Sequence, residues 1–363
     1  MTGLRVADVP IPPECRELAA AVEGDLGRFL AEQREETEPR APGVEEVFDE
    51  LERVIAAGGK RLRPVYCLLG HRAAGGPVGP EVIRAAASLE LLHTFAIVHD
   101  DVMDGSETRR GAPATWTHLA DLHRAAGMRG SPETFGLSGA ILTGDLALIL
   151  ADRAFLGAGL APEALLPTLA RYNRMRVEVI AGQYLDVAAA NRGIAAEPEA
   201  RRIAGLKSGN YTVEGPLQIG AILAGGSDDL LAALSAYGMP LGEAFQLRDD
   251  VLGVFGDPAL TGKPRDSDLR EGKRTVLIAR ALEAAGSEDS RFLLERLGAA
   301  DLTGADVERI RGIIESTGAL EATGRLIGEL AEAARAALAA AALPEDVRGL
   351  LDDLVETCAL RIS

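Results

Sequence analysis

Two clusters of aspartates stand at the ends of two apolar stretches of the chain: Asp100, Asp101 and Asp104 form the first, and Asp249 and Asp250 form the second. On a helix, Asp100 and Asp104 share one face, whereas Asp101 points about 100° away. Acidic groups at a helix C-terminus are unfavourable without a cation, because that end already carries partial negative charge. One such cluster alone would suggest a solvated helix end. Two such clusters predict bound Mg²⁺, which typically takes one or two carboxylates plus phosphate oxygens from a substrate. A diphosphate could then be held between the two clusters.

Basic side chains that could bind such a diphosphate occur in short motifs. Lys60, Arg61 and Arg63 follow a glycine pair and precede Pro64, which suits the first turn of a helix. Backbone N–H groups and the helix dipole would strengthen anion binding by these side chains, so the segment predicts an anion site. Taken alone, the same segment would also fit a solvated basic turn. The other basic residues follow the two aspartate clusters: Arg109, Arg110, Lys263 and Lys273.

A histidine lies two helical turns before the first aspartate cluster. His93 precedes Asp100 by seven residues and so falls near the same helix face, where a packed core histidine is the usual alternative. Glu90 and His93 also fit the Glu-x-x-His pattern of di-iron helix bundles, which requires a second copy of the pattern. None of the remaining histidines supplies one, which excludes this alternative: His71, His99, His118 and His123.

The elements that must position these residues are helices. Of the 363 residues, 47% are hydrophobic and only 4% aromatic, and helix-favouring Ala, Leu, Glu and Arg dominate. The chain is therefore predicted to be all-α, with two long loops at 127–139 and 256–272. Capping and breaking residues predict helices at 16–38, 44–57, 64–75, 80–104, 115–126, 138–158, 162–191, 197–208, 211–224, 228–253, 273–285, 288–298, 304–316, 318–340 and 344–361.

The organisation predicted is one domain at 21–363 after an N-terminal lead-in at 1–20, whose prolines do not fit a helix interior. A formal net charge of −17 argues against nucleic acid as a partner. Three widely separated cysteines, Cys15, Cys67 and Cys358, favour reduced thiols. Without an apolar run of about 18 residues or a targeting segment, the sequence predicts a cytoplasmic protein with no membrane span.

An ordered set of motifs resembles one known family. The motifs are GGKRLRP, HDDVMD, RRG, GQYLD, KSG, FQLRDD, GKP and GKRT. Together they resemble the polyprenyl synthetase family of trans-isoprenyl diphosphate synthases, from about Ala21 to the end, and geranylgeranyl diphosphate synthases of actinobacteria in particular. The resemblance implies a single large helical bundle around a deep central cavity (the isoprenoid synthase fold) and a homodimer. It also implies condensation of isopentenyl diphosphate with dimethylallyl, geranyl or farnesyl diphosphate.

The resemblance further implies a role for each matching residue. Asp100, Asp101 and Asp104 would bind Mg²⁺ and the allylic diphosphate, and Asp249 a further Mg²⁺, with up to three ions in all and Mn²⁺ as a possible substitute. Isopentenyl diphosphate would contact Lys60, Arg63, His93 and Arg110. The allylic diphosphate would contact Arg109, Lys207, Lys263 and Lys273. Four more residues match positions near the allylic carbon chain or the GQxxD motif: Ser208, Gln246, Gln183 and Asp186.

This chemistry suits the residue types. Loss of diphosphate from an allylic carbon leaves a delocalised cation, so catalysis depends on neutralising the leaving group, with no activated nucleophile. The growing chain would extend beside the helix that carries Asp100. Phe95, about 7.5 Å down that helix axis, is the nearest bulky candidate for the floor of the cavity. An aromatic residue at this position, with no insertion in the first motif, resembles geranylgeranyl synthases, so the resemblance implies a C20 product. Ordinary helix packing is the alternative role for Phe95, and a farnesyl or longer product is the alternative outcome.

Two positions depart from the family pattern. Gly253 stands where many members have the third aspartate of the second motif, and Ser208 where many have threonine. Gly253 and Gly256 are expected to end the helix, so Asp257 is not assigned to the metal. A class I terpene cyclase is a second alternative, but it would not need the isopentenyl diphosphate site. A non-catalytic synthase subunit is a third, but it is expected to lack part of the first motif.

Overall fold

The computed structural model describes residues 11–193, 196–256 and 266–359. Its secondary structure is almost wholly helical, which confirms the predicted all-α class. In chain order the α-helices are α1 (Pro13–Thr37), α2 (Glu45–Ala56), α3 (Leu62–Ala73), α4 (Pro80–Asp104), α5 (Thr115–Ala125), α6 (Pro132–Leu156), α7 (Pro162–Arg192), α8 (Glu197–Ala204), α9 (Gly215–Leu223), α10 (Asp228–Phe255), α11 (Ser267–Arg270), α12 (Val276–Ala284), α13 (Ser287–Arg296), α14 (Gly304–Ser316), α15 (Ala319–Ala340) and α16 (Glu345–Cys358), and a π-helix (Gly205–Glu214) joins α8 to α9.

A two-stranded hairpin follows the first aspartate cluster. Its strands are β1 (Thr108–Arg109) and β2 (Ala112–Pro113), paired antiparallel with Arg109 opposite Ala112. The two turn residues, Arg110 and Gly111, have φ values of 54° and 75°. Positive φ at both central positions is what a tight two-residue hairpin loop requires. The hairpin therefore places consecutive arginines on a strand and on a turn directly after α4.

Several helix boundaries differ from the sequence prediction. The predicted loop at 127–139 is too long, because α6 begins at Pro132, where the Ser131 side chain accepts a hydrogen bond from the Thr134 N–H. The predicted helix at 273–285 begins only at Val276, after the capping residue Thr275. Within the predicted loop at 256–272, α11 is helical, and residues 257–265 lie outside the described part of the chain.

The N-terminal helix begins at Pro13, three residues before its predicted start. Proline is well suited to the first turn of a helix, where its missing N–H would have no partner in any case. Cys15 and Ala19 on this helix pack into the core, although both precede the predicted domain boundary at residue 20. That boundary itself stays a prediction.

The predicted break between helices at 208 and 211 is wrong. The helix passes from α8 through the π-helix into α9, because the side chain of Asn210 is buried and bonded rather than exposed in a turn. Arg171 donates to Asn210 Oδ1 at 2.6 Å, and Asn210 donates to Glu178. On the other side, a Cβ added to Gly242 of α10 would overlap Gly209. The π-helix is therefore fixed between α7 and α10.

Two apolar cores surround these central elements. One joins α3, α10 and the C-terminal helices α12 to α16, and the other joins α1 to α4 with α6 and α7. By length and composition alone, α4 and α6 could cross a membrane, with 61% and 39% of their most apolar stretches buried inside the protein. The residues of α4 lie largely within the second core, as those of a core helix do. The three cysteines are buried free thiols.

Candidate active site

One cavity of about 1260 Å³ lies between α4, α7, the π-helix and α10. It brings together the ends of α4 and α10, where the two aspartate clusters lie. Phe95 and Ala96 line it below the first cluster, and Gln183 and Asp186 line it from α7. Lys263 lies outside the described residues. The other predicted site residues that line the cavity are Lys60, Arg63, His93, Asp100, Arg109, Arg110, Lys207, Ser208, Gln246, Asp249 and Lys273.

The first aspartate cluster divides as its helical spacing predicts. Asp100 lines the cavity and accepts hydrogen bonds from Gln183 Nε2 at 2.8 Å and from Lys207 Nζ at 3.2 Å. Asp101 is only 3% exposed and accepts a hydrogen bond from Arg109 Nε at 2.8 Å. The carboxylate of Asp101 thus holds the hairpin arginine in place, while that of Asp100 faces the cavity.

The third aspartate of this cluster, Asp104, is half-buried and, like Asp101, is not among the residues that line the cavity. Asp104 makes an ion pair with Lys273 Nζ at 3.3 Å. Burial, together with the neighbouring charge of Asp100, raises the pKa of Asp104 to about 6. The repulsion by Asp100 adds to the larger effect of burial, and both disfavour the ionised carboxylate of Asp104. A bound cation would relieve this repulsion.

The second aspartate cluster presents one exposed and one buried carboxylate. Asp249 is exposed to the cavity, whereas Asp250 is buried and accepts a hydrogen bond from Gln246 Nε2 at 2.7 Å. Burial, followed by the charge of Asp268, raises the pKa of Asp250 to about 8. Gln246 Oε1 accepts a hydrogen bond from the Ser208 hydroxyl. This chain of contacts ties the π-helix to the second cluster.

Two half-buried lysines connect the clusters electrostatically. Lys207 of the π-helix lies 2.8 Å from Asp186 and 3.2 Å from Asp100. Burial lowers its pKa, but the charges of Asp100 and Asp186 outweigh burial and hold the pKa above its usual value. Lys273 reaches both Asp104 and Asp268, at 3.3 and 3.5 Å. Both lysines stay charged at neutral pH and can neutralise a leaving diphosphate.

The second group of basic residues that line the cavity lies around the start of α3 and at the hairpin turn. An Arg63 N–H donates to Thr212 Oγ1 at 2.9 Å, and its guanidinium lies 4.4 Å from the ring centre of Tyr211. Arg110 donates to the Gly58 carbonyl, so the hairpin packs on the loop before α3. Burial and the nearby charges of Arg63 and Arg110 hold the pKa of His93 well below its usual value. His93 is therefore a neutral hydrogen-bonding group in this cationic region.

Arg61, the middle basic residue of the GGKRLRP motif, has a structural role and does not line the cavity. It is 5% exposed and makes a buried ion pair with Glu90 at 2.5 Å. Its backbone is left-handed, with φ 47°, so the side chain turns away from its neighbours in the motif. Glu90, considered above as half of a di-iron motif, is thus the structural partner of a buried arginine.

Sequence reasoning missed several residues of the cavity. Asp268 and Thr275 reach it from the segment around α11, and Tyr211 and Arg248 reach it from helices already considered. Tyr211 follows Lys207 by one helical turn, a signal that could have been used. Asp268 lies 15 residues beyond Gly253, and nothing in its local sequence indicates that it faces the second cluster.

The carboxylates fit divalent ions only in combination with other ligands. Among residues 11–193, 196–256 and 266–359, no three Asp, Glu, His or Cys side chains converge closely enough to hold an ion together. Mg²⁺ commonly takes one or two carboxylates and completes its octahedron with water and substrate phosphate. The pair Asp100 and Asp104 at the first cluster and the single carboxylate of Asp249 at the second match that donor set.

The chain matches the family model described as polyprenyl synthetase over residues 44–314. It belongs to the polyprenyl synthetase family. The fold and the enzyme class expected from the motifs are thereby confirmed: the chain is a prenyltransferase, an isoprenyl diphosphate synthase. The matched region spans both aspartate clusters and both groups of basic residues.

Similar proteins in the family differ in the products that their names give. A short chain isoprenyl diphosphate synthase of Methanothermobacter thermautotrophicus is 37% identical over 69% of this chain and 71% of its own. A geranylfarnesyl diphosphate synthase of Aeropyrum pernix is 34% identical over 74% and 79%. A similar solved structure is the crystal structure of geranylgeranyl pyrophosphate synthase from Corynebacterium glutamicum, complexed with isoprenyl diphosphate and magnesium. It superimposes with a TM-score of 0.92 and is 39% identical in sequence, and the match covers 95% of this chain and 99% of that one.

Proposed function

We propose that this synthase condenses isopentenyl diphosphate with an allylic diphosphate, ionising the allylic substrate between its two aspartate clusters. The observation that carries the proposal is one cavity whose wall contains Asp100 and Asp249 together with Lys207 and Lys273, which pair with Asp100 and Asp104. A leaving diphosphate placed there meets cations on two sides. Ionisation of an allylic substrate needs such charge neutralisation more than it needs a nucleophile.

Asp100, Asp104 and Asp249 are the residues proposed to hold Mg²⁺, for up to three ions, with Mn²⁺ able to substitute. When bound, the metal supplies charge stabilisation to the diphosphate oxygens. Lys207 and Arg109 add fixed positive charge, and Lys273 and Lys263 are proposed to contact the same diphosphate. Ser208 and Gln246 present oxygens near the carbon chain. Asp101 acts in this proposal by holding Arg109 rather than by contacting the metal.

Isopentenyl diphosphate is proposed to bind the opposite basic group, formed by Lys60, Arg63, His93 and Arg110. These side chains line the same cavity, from the loop before α3 (Lys60), from α3 (Arg63), from α4 (His93) and from the hairpin turn (Arg110). The double bond of this substrate then attacks the allylic cation, and the released diphosphate accepts the proton lost from the adduct. The apolar part of the cavity keeps water from the cation.

The direct test is incubation of the purified protein with Mg²⁺, isopentenyl diphosphate and each allylic diphosphate in turn. Chain extension by C5 units supports the proposal. Cyclised hydrocarbon without consumption of isopentenyl diphosphate would identify a terpene cyclase instead. A protein that binds both substrates but extends neither would be a non-catalytic subunit.

We propose geranylgeranyl diphosphate, C20, as the main product. Phe95 lines the cavity one turn below Asp100, and its ring packs edge-on against His99 with 4.8 Å between ring centres. Ala96 also lines the cavity, and its small side chain leaves room for a chain beside it. The phenyl ring of Phe95 therefore narrows the cavity on the α4 side.

Phe95→Ala is expected to lengthen the product. Removing the ring opens the floor, so the distribution should shift beyond C20, as measured by reversed-phase chromatography under excess isopentenyl diphosphate. Ala96→Phe is the matched control, because it adds a ring at the adjacent cavity position and should shorten the product. A wild type that stops at C15, or an unchanged distribution in Phe95→Ala, would place the floor elsewhere.

We also propose that the enzyme is a homodimer, and that α6 and α7 form its interface. Both helices expose apolar side chains along one face at helical spacing, a pattern typical of protein–protein interfaces. On α7, Ile180 and Tyr184 belong both to this face and to the cavity wall, so a second copy would also cover that side of the cavity. The most exposed apolar side chains of the two helices are Leu142, Ile149, Leu156, Leu166, Val177, Ile180 and Tyr184, at 52–69%.

Ile149→Glu should convert the dimer to a monomer, because it buries a charge in the interface. Light scattering coupled to size-exclusion chromatography measures the mass directly. Leu294→Glu is the control, since Leu294 is an exposed leucine on α13, away from this face. A wild-type monomer, or a dimer that survives Ile149→Glu, would argue against this interface.

A further inference from the structure

Arg274 is a buried arginine in the cavity wall that has no counter-charge among the described residues. It is 6% exposed and lines the cavity. Its Nε and Nη1 atoms are buried, and no hydrogen-bond acceptor within residues 11–193, 196–256 and 266–359 reaches either of them. An arginine stays protonated in proteins, and a buried charge without a counter-charge is costly. The guanidinium therefore brings an uncompensated positive charge to the cavity wall.

Lys273, the preceding residue, has different surroundings. Its Nζ pairs with Asp104 at 3.3 Å and with Asp268 at 3.5 Å. Burial would lower the pKa of Lys273, but Asp268 and other carboxylates outweigh burial and hold the pKa well above its usual value. Burial also lowers the pKa of Arg274, and no carboxylate of the described chain counteracts it. Lys273 thus belongs to the charge network of the two aspartate clusters, whereas Arg274 does not.

The guanidinium of Arg274 lies beside the C-terminal end of α7. A Cβ built on Gly193, the C-cap residue of that helix, would lie 4.0 Å from Arg274 Nη2. The partial negative charge of a helix C-terminus favours a cation nearby, but here it supplies no acceptor to Nε or Nη1. The cavity lining that α8 contributes is apolar and consists of Ala200, Ile203 and Ala204.

The first turn of α12 follows Arg274 directly. Thr275 is its N-cap, and the Thr275 hydroxyl oxygen accepts a hydrogen bond from the Ile278 N–H at 3.4 Å. The first N–H groups of a helix have no partners within the helix and give this end partial positive charge. The first turn of α12 contains no acidic residue, and Thr275, like Arg274, lines the cavity. A helix N-terminus and an uncompensated arginine thus meet in one part of the wall, a combination suited to phosphate groups.

We propose that Arg274 and the N-terminal end of α12 form a separate, metal-independent site for a phosphate oxyanion. The inference goes beyond the proposed function, which assigns a ligand to neither Arg274 nor Thr275. A planar guanidinium and backbone N–H groups both match phosphate oxygens, and the anion would neutralise the buried charge. Two sources offer this chemistry: the inorganic diphosphate that condensation releases into the same cavity, and free phosphate from solution.

The first test measures anion binding without metal. A chelator removes metal-bridged binding at the aspartate clusters, and Arg63→Ala weakens the other basic group. Isothermal titration of Arg63→Ala with inorganic pyrophosphate then reports on the proposed site. Adding Arg274→Gln should raise the Kd at least about tenfold, because a hydrogen-bonded charge is lost. Adding Arg280→Gln instead is the matched control and should leave the Kd unchanged, since Arg280 lies on the same helix but pairs with Glu197 at 2.6 Å.

The absence of binding by Arg63→Ala, or equal Kd values with and without Arg274→Gln, would overturn the proposal. The same titration with orthophosphate separates the two sources. Tighter binding of pyrophosphate identifies the released product as the ligand, and tighter binding of orthophosphate identifies free phosphate. No metal is present, so these results are independent of whether the aspartate clusters bind Mg²⁺. Failure of the proposed function would instead appear as a loss of Mg²⁺-dependent condensation.

The second test uses the cost of the buried charge. Arg274→Met replaces the guanidinium by an apolar side chain, so in chelator without phosphate its Tm should lie above that of wild type. Millimolar pyrophosphate should then raise the Tm of wild type more than that of Arg274→Met, because only wild type has the ligand's counter-charge at this site. Differential scanning calorimetry measures both shifts. An equal rise in the two proteins would overturn the proposal, whatever the Tm of the variant without ligand.

Discussion

Asp100→Ala should lower kcat for condensation by about 10³-fold or more and leave the fold intact. The carboxylate faces the cavity, where it contacts Lys207 and Gln183, and is proposed to bind metal together with Asp104. Loss of a single group that stabilises developing charge in an active site typically costs about 10²–10³ in kcat, and loss of a metal ligand adds to this. Asp104→Ala should behave in the same way. Steady-state kinetics with saturating Mg²⁺ and farnesyl or geranyl diphosphate measure both.

A matched control separates this effect from the loss of any acidic residue. Asp121→Ala removes an exposed carboxylate on α5 that pairs with Arg124, and should leave kcat unchanged. Chelation of divalent ions should abolish the activity of wild type, and Mg²⁺ or Mn²⁺ should restore it. Undiminished condensation by Asp100→Ala, or by chelated enzyme, would remove the metal from the mechanism.

Lys207→Ala should lower kcat by about 10²–10³-fold, whereas Arg63→Ala should mainly raise the KM for isopentenyl diphosphate. Lys207 lies on the π-helix beside Asp100, where the allylic diphosphate is proposed to leave, so its positive charge is expected to matter most as that bond breaks. Arg63 belongs to the other basic group, which is proposed to hold isopentenyl diphosphate before and after ionisation. The two variants therefore separate transition-state stabilisation from ground-state binding.

Initial rates over a matrix of both substrate concentrations distinguish the two effects. Lys207→Arg is the conservative control and should recover part of the rate, since it keeps the charge. If Lys207→Ala and Arg63→Ala raised the KM for the same substrate to the same extent, the assignment of two separate diphosphate sites would be wrong.

Residue spacing alone was enough to predict the division of the first aspartate cluster. Helical geometry separates Asp101 from Asp100 and Asp104, and the structure places Asp101 against Arg109. The apolar stretches that end in aspartates likewise predict the long helices α4 and α10. These features depend on local periodicity, which a single sequence records directly.

Contacts between segments that are distant in sequence explain two helix boundaries that were predicted wrongly. Asn210 was expected in a break between helices, because its local propensity favours a turn, but Arg171 and Glu178 on α7 satisfy its side chain and keep the helix continuous. Gly253 was expected to end a helix, yet it lies inside α10 and makes room for Asp268. Neither partner is close in sequence, so no local pattern could have revealed them.

The most direct test of two facing metal sites is anomalous diffraction from crystals grown with Mn²⁺, isopentenyl diphosphate and an unreactive allylic thiolodiphosphate. We expect manganese peaks beside Asp100 and Asp104 and beside Asp249, with the thiolodiphosphate between them and isopentenyl diphosphate against Lys60, Arg63 and Arg110. Manganese bound elsewhere, or an allylic diphosphate held by the basic group with no metal at either aspartate cluster, would contradict the account.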